Sequence, residues 1–255
     1  MNDRVRVTIA MIACVAGLGC SVSPEKQAGD TVPAAQVAGP DFWGTWNPMG
    51  RCFPNGQDCP WVLEDIPLNE RAVAHRNTFD ETIAPKYDCV EATAPGIIAD
   101  PYMMTIERQA DRVAIRYEKD DVARTAWLDG RKPPVNGYTW QGFSTARLEP
   151  AALIIETTNF LYDPTGLDDM AGLPSSTRKK VVERYTRDGD MLRATVSTED
   201  PLFLVEPAVF STQWRAAGKG VPMETFACDA AEARQPLQFL PPKYRQTRAV
   251  PTRWK

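Results

Sequence analysis

From Tyr102 to Arg215 the chain alternates apolar and polar residues with a period of two, in short runs broken by turn residues. Val113, Ile115 and Tyr117 share one face of a run, with Ala114 and Arg116 on the other. Met104–Glu107, Val122–Leu128, Tyr138–Leu148, Ala152–Thr158, Lys180–Arg187, Met191–Glu199 and Val209–Arg215 repeat the style. Ala110-Asp111, Lys119-Asp120-Asp121, Asp129-Gly130-Arg131 and Asp188-Gly189-Asp190 supply the turns between them. Roughly eight short strands with close turns predict a mainly β fold, an antiparallel up-and-down barrel with long loops. Alternation this regular means that one face of each strand is packed and the other polar. One helix is expected before the strands, over Leu68–Ile83, with Asn69 as its cap and Ala72, Val73, Phe79 and Ile83 as its apolar residues.

The first residues read differently. Arg4 and Arg6 precede Val7–Gly19, a charge-free and mostly apolar stretch. It is too short to span a bilayer as a helix, which needs about 20 residues, and it has the length of the apolar core of a cleavable export signal. Gly17-Leu18-Gly19-Cys20 resembles the cleavage region of bacterial lipoprotein signals, with Gly17 where Leu is usual. The resemblance implies lipidation of Cys20. Ser21 in place of Asp implies the outer membrane rather than retention at the inner one. The expected organisation is a signal over 1–19, a lipidated Cys and flexible tether over 20–40, a β domain over 41–232, and a basic, Pro-containing tail over 233–255.

Export bears on the cysteines. Besides Cys14 and Cys20 the chain has Cys52, Cys59, Cys89 and Cys228, an even set that reads as disulfides in an oxidising compartment. Cys52 and Cys59 flank Phe53–Asp58, whose Pro-Asn-Gly is a turn signal, so a local Cys52–Cys59 bridge is natural and Cys89–Cys228 remains. The Cys52/Cys59 spacing is not that of a zinc finger. A formal net charge of −4 with mixed signs argues against nucleic acid as the partner, and the single histidine, His75, argues against multi-His metal sites. No dinucleotide, phosphate-loop or EF-hand pattern is present, so no cofactor is expected. The long Gly/Pro/Asp stretch Asp163–Ser176 is expected to be a loop of functional length.

Gly44-Thr45-Trp46 resembles the first-strand motif of lipocalin-like barrels, in which the Trp closes one end of the barrel. Over Trp43–Cys228 the chain resembles an exported bacterial family of unknown function. The ordered series is Gly44-Thr45-Trp46, Cys89 with Pro95-Gly96, Asp111-Arg112-Val113 with Ile115 and Glu118, and Asp129-Gly130-Arg131. It continues with Trp140, Gly142, Ser144, Arg147, Leu153–Phe160, Val181–Tyr185 and Asp200-Pro201. The resemblance implies a lipocalin-like (calycin-like) β domain and no established reaction. Family members often carry His where this chain has Phe143 and Ser175, and His-Pro where it has Pro133-Pro134.

Three functions fit these residues. The first is a lipoprotein that binds a small apolar or amphipathic molecule, with Trp140, Phe143, Ser144, Arg147 and Thr158 near the ligand; a barrel of about eight strands can hold one such molecule. The second is a calycin-like enzyme using carboxylate acid/base chemistry, for which Glu156 and Glu183 are the catalytic candidates. The third is an envelope or interaction protein whose barrel is packed solid. Ser–His hydrolysis is disfavoured, because no Gly-x-Ser-x-Gly elbow accompanies His75.

Overall fold

Nine strands close into a barrel in the computed structural model, which describes residues 41–49, 66–218, 220–226 and 228–239. In chain order the strands are β1 (Gly44–Pro48), β2 (Met104–Arg108), β3 (Arg112–Tyr117), β4 (Ala123–Trp127), β5 (Phe143–Glu149), β6 (Ala152–Thr158), β7 (Asp163–Asp168), β8 (Leu173–Ser175), β9 (Lys180–Asp188), β10 (Met191–Glu199) and β11 (Ala208–Ala216). Round the barrel they run β1-β11-β10-β9-β6-β5-β4-β3-β2, and β1 pairs with β2 to close the ring. The strand periods read from the sequence thus correspond to the barrel. The Cys20 lipidation site, the Cys52–Cys59 bridge and the end of the basic tail lie outside the described residues. Within that tail, Gln235–Phe239 is a 3-10 turn following a short helix, Ala230–Arg234.

Strict up-and-down alternation round a closed ring requires an even number of strands. With nine, one neighbouring pair must be parallel, and it is β4 with β5. A parallel pair cannot be joined by a hairpin and needs a crossover of a dozen or more residues; here 128–142 make it. The ladder between these two strands is short. Only Ala126↔Ser144 and Trp127↔Thr145 are in register, whereas β5 and β6 pair from Phe143↔Thr158 to Glu149↔Ala152.

The inward phase of the strands builds the core. Met104, Ile106, Val113, Ile115, Leu153, Ile155, Val181, Leu192, Ala194 and Val196 are fully buried. Trp46 closes the cluster with Phe42 and Trp214; its Nε1 donates to the Phe42 carbonyl at 3.1 Å, and the Arg187 guanidinium lies 5.1 Å from its ring. A second apolar cluster gathers Leu68 and, from α1 (Glu70–Thr78), Ala72 with Leu167, Ala171, Leu173, Phe203, Leu204 and Ala208.

Two expectations are corrected. The helix is shorter than Leu68–Ile83: Asn69 caps it by accepting from Ala72 N at 3.1 Å, but Phe79 is extended and Glu81–Ile83 form a separate 3-10 turn. The stretch Asp163–Ser176 is not an open loop but a hairpin of β7 and β8 outside the barrel. Its turn is made by Asp168, whose carboxylate accepts from Met170 N and Ala171 N, and by Gly172 at φ +63. Its apolar residues Leu167, Ala171 and Leu173 fill the second cluster, and that burial stabilises a strand pair that composition alone reads as loop. Cys89 and Cys228 are joined by a disulfide with an S–S distance of 2.05 Å, tying the segment between β1 and β2 to the segment after β11.

Candidate functional site

Inside the barrel five strands contribute to one polar network. Arg124 occupies an inward position of β4, between Val122 and Ala126, and is 3% exposed. Its guanidinium meets the Glu183 carboxylate of β9 edge on: Nη1 donates to Oε2 at 3.2 Å and Nη2 donates to Oε1. Nη1 also donates to the Tyr117 hydroxyl of β3 at 3.4 Å, and Nη2 to Thr157 Oγ1 of β6 at 3.2 Å. Thr157 Oγ1 lies 2.8 Å from Ser144 Oγ of β5, and Tyr185 donates its hydroxyl to Glu183 Oε2 at 2.7 Å. A bidentate arginine–carboxylate pair joins two charge-assisted hydrogen bonds, each roughly twice as strong as a neutral one.

Electrostatics keep the network in one protonation state. Burial opposes the Arg124 charge, but Glu183, with Tyr117 and Tyr185 beside it, outweighs that cost and holds the guanidinium above its ordinary pKa. Burial also raises Tyr117 and Tyr185, and the negative charge of Glu183 raises both further. Both phenols therefore stay protonated and remain donors. Glu183 accepts three hydrogen bonds, two from Arg124 and one from Tyr185, which commits its lone pairs to the network.

The network meets solvent space at the parallel seam. On the N-terminal side of Ala126↔Ser144 the two strands diverge, and a cavity of about 250 Å³ opens between them. Its lining combines inward residues, Arg124 and Ser144, with outward ones, Thr125 and Phe143, so it is a cleft in the wall of the barrel. Trp127, Gln141 and Gly142 complete its rim, and the Arg131 guanidinium stacks 3.6 Å from the Trp127 ring centre. Gly142 is required there. Its φ is +70, and a Cβ would stand 2.6 Å from the Thr158 carbonyl oxygen. A space of this size has room for about eight waters, or a small organic molecule.

A second polar cluster lies where the β7–β8 hairpin meets the barrel. Lys179 is 1% exposed; its ammonium donates to Thr93 Oγ1 at 3.2 Å and to the Gly166 carbonyl at 3.1 Å, and lies 4.2 Å from the Phe160 ring centre. Burial pushes its pKa down to about 8, against the opposing pull of Asp163 and Asp200. Ser176 and Lys179 have a Ser-x-x-Lys spacing, yet Ser176 donates its hydroxyl to Asp200 Oδ1 at 2.7 Å, so no serine–lysine dyad forms. Beside it is a cavity of about 50 Å³, lined among others by Thr93, Asp163, Gly166 and the Lys119–Asp100 ion pair.

The structure brings Glu183, Ser144 and Phe143 together and leaves the other sequence candidates elsewhere. Glu156 faces outward and pairs with Lys180 at 2.9 Å. Arg147 is exposed beside Glu149, at 3.3 Å. Thr158 stands opposite Phe143 on the outer face of β6, and half-buried Trp140 lies on the crossover, outside the cleft lining. Arg124, Tyr117, Thr157 and Lys179 escaped sequence reasoning, although a signal existed. Arg124 shares the phase of Val122 and Ala126, and Lys179 the phase of Val181 and Tyr185, so each is a charge at a core position.

A comparison with family models finds no match to this chain, and comparisons with curated proteins and with solved structures find none either. The class that fold and site define is a closed, mostly antiparallel β-barrel protein with a buried Arg–Glu network behind a cleft in its wall.

Proposed function

We propose that the protein is an exported lipoprotein, anchored through Cys20 at the outer membrane or in the periplasm, whose lipocalin-like barrel binds a small apolar or amphipathic molecule. The observation that carries this reading is the cleft at the parallel seam, with aromatic Trp127 and Phe143 at the rim and Arg124 and Ser144 at the floor. Ligand sites combine apolar walls with a few converging polar groups in this way. Buried Trp46 on the first strand, with the Arg187 guanidinium 5.1 Å from its ring, supports the lipocalin likeness. The Arg4–Cys20 layout supports export and the lipid anchor.

A second reading rests on the interior itself. Trp46, Trp214, Tyr117, Tyr185, Phe160 and Met104 are all fully buried within the barrel cluster, which supports an envelope or interaction protein with a solid core. Native mass spectrometry of residues 21–255, purified from the producing host and sprayed with and without denaturation, separates the two. A small molecule retained natively and lost on denaturation supports the carrier; a clean apo mass supports the packed protein.

A further inference from the structure

We infer that the seam cleft is a strand-addition site, which binds a short, free, uncharged peptide in extended form along the open edge of β4; the inference names the ligand class of the proposed carrier and rests on that role. Ladder phase gives the direction of the edge groups. Tyr117 N–H donates to the Val122 carbonyl and Leu128 N–H to the Asp111 carbonyl, at 2.9 Å each. In an antiparallel pair the backbone groups of successive residues alternate between the two sides. Val122, Arg124, Ala126 and Leu128 therefore turn their backbone groups toward β3, and Ala123, Thr125 and Trp127 turn theirs toward β5. The seam ladder begins only at Ala126↔Ser144. The Ala123 N–H and carbonyl and the Thr125 N–H thus have no ladder partner and no other hydrogen bond among the described residues. Both residues are exposed and line the cleft.

The chain itself vacates the place beside this edge. A continued ladder would set Gly142 opposite Arg124 and Gln141 opposite Ala123. Instead Gly142 has φ +70 and lies close against the Thr158 carbonyl of β6, and the cleft opens between it and β4. A peptide residue lying opposite Arg124 would donate its N–H to the Ala123 carbonyl and accept the Thr125 N–H, as in a parallel ladder. The open edge runs about 10 Å at about 3.3 Å per residue, and β5 occupies the line beyond it from Phe143 onward, which suits a short peptide rather than a passing chain. Exposed edges are usually guarded by charge or proline. The edge of β5 beyond the seam ladder carries Arg147 and Glu149, whereas Ala123 and Thr125 are small and uncharged. Glu183 already neutralises Arg124, so a charged peptide side chain set beside it would lose hydration without gaining a partner.

The test uses residues 21–255, isotope-labelled for NMR and titrated with acetyl-Val-Ala-Val-amide and with the same peptide N-methylated at its alanine. The expected result is shifted signals and slowed hydrogen exchange at the Ala123 and Thr125 amides. The N-methyl peptide should bind about tenfold more weakly, because it lacks the N–H that serves the Ala123 carbonyl. Thr125→Pro removes a cleft-facing N–H without touching the β3 ladder, and at an unchanged melting temperature it should weaken the parent peptide about tenfold. The N-methyl comparison decides the matter if that variant does not fold. Equal binding of the two peptides, binding of neither, or unchanged Ala123 and Thr125 amides overturns the inference, as does binding confined to a segment of another protein. The carrier reading fails separately: a non-peptide adduct in the native mass spectrum keeps it and overturns only the peptide assignment, whereas a clean apo mass removes it.

Discussion

Replacing Glu183 by Gln tests the barrel's internal network most sharply. The substitution keeps the side-chain shape but removes the charge that neutralises Arg124, whose guanidinium is 2% exposed against a fully buried carboxylate. Breaking one side of a buried ion pair costs about 3–5 kcal/mol, because the remaining charge stays buried without compensation. In a domain of this size about 1 kcal/mol corresponds to a shift of roughly 2–4 °C in melting temperature, so a loss of about 6–20 °C is expected. The double replacement Arg124→Met with Glu183→Leu removes both charges and is expected to lie within about 2 kcal/mol of the parent, since buried pairs and apolar substitutes of similar volume are often equivalent. Urea unfolding with an unchanged m-value measures both differences. A loss below about 1 kcal/mol in Glu183→Gln, or strictly additive losses in the double variant, refutes the reasoning.

Lys179 gives a pH-dependent signature. Its folded pKa of about 8 lies below the ordinary 10.5, so its protonation destabilises the fold; that cost is full below about pH 8 and disappears as pH rises toward 10.5. The stability of Lys179→Met relative to the parent should therefore shrink by about 3 kcal/mol between pH 7 and pH 10.5, measured by urea unfolding, whereas a constant difference would contradict the burial argument. Reduction of Cys89–Cys228, or its replacement by a pair of alanines, should cost about 3–5 kcal/mol, because the bridge spans a sequence separation of 139; a melting temperature unchanged by reductant would oppose this. Gly142→Ala should destabilise by more than about 1 kcal/mol, given its φ of +70 and the Thr158 carbonyl at 2.6 Å from the new Cβ, and unaltered stability would show that the crossover can shift.

Much of the barrel was legible in the sequence because each strand carries its own period of two. The strands β3, β6, β9 and β10 lie where alternation placed them, and Glu183 was visible as a carboxylate inside such a run. The parallel seam was not legible. It follows from the strand count round the closed ring, a global property that no local pattern records, and the cleft follows from the seam. The hairpin at Asp163–Ser176 was missed because its stabilisation comes from Leu167 and Leu173 packing on α1 and Phe203, not from strand propensity. Trp140, Arg147 and Thr158 illustrate the converse limit. Residues near one another in sequence were grouped as one site, but strand phase sends Arg147 and Thr158 to the outer face while Ser144 turns inward.

The central claim is that a small molecule occupies the cleft between β4 and β5. Thr125 faces outward on the cleft's rim, so Thr125→Trp fills the space without disturbing the core. The direct measurement is the native mass spectrum of this variant beside the parent, both from the producing host and both matched in melting temperature. The account predicts a bound small molecule in the parent and its absence from Thr125→Trp. The same adduct retained by the variant would place the ligand elsewhere and contradict the claim.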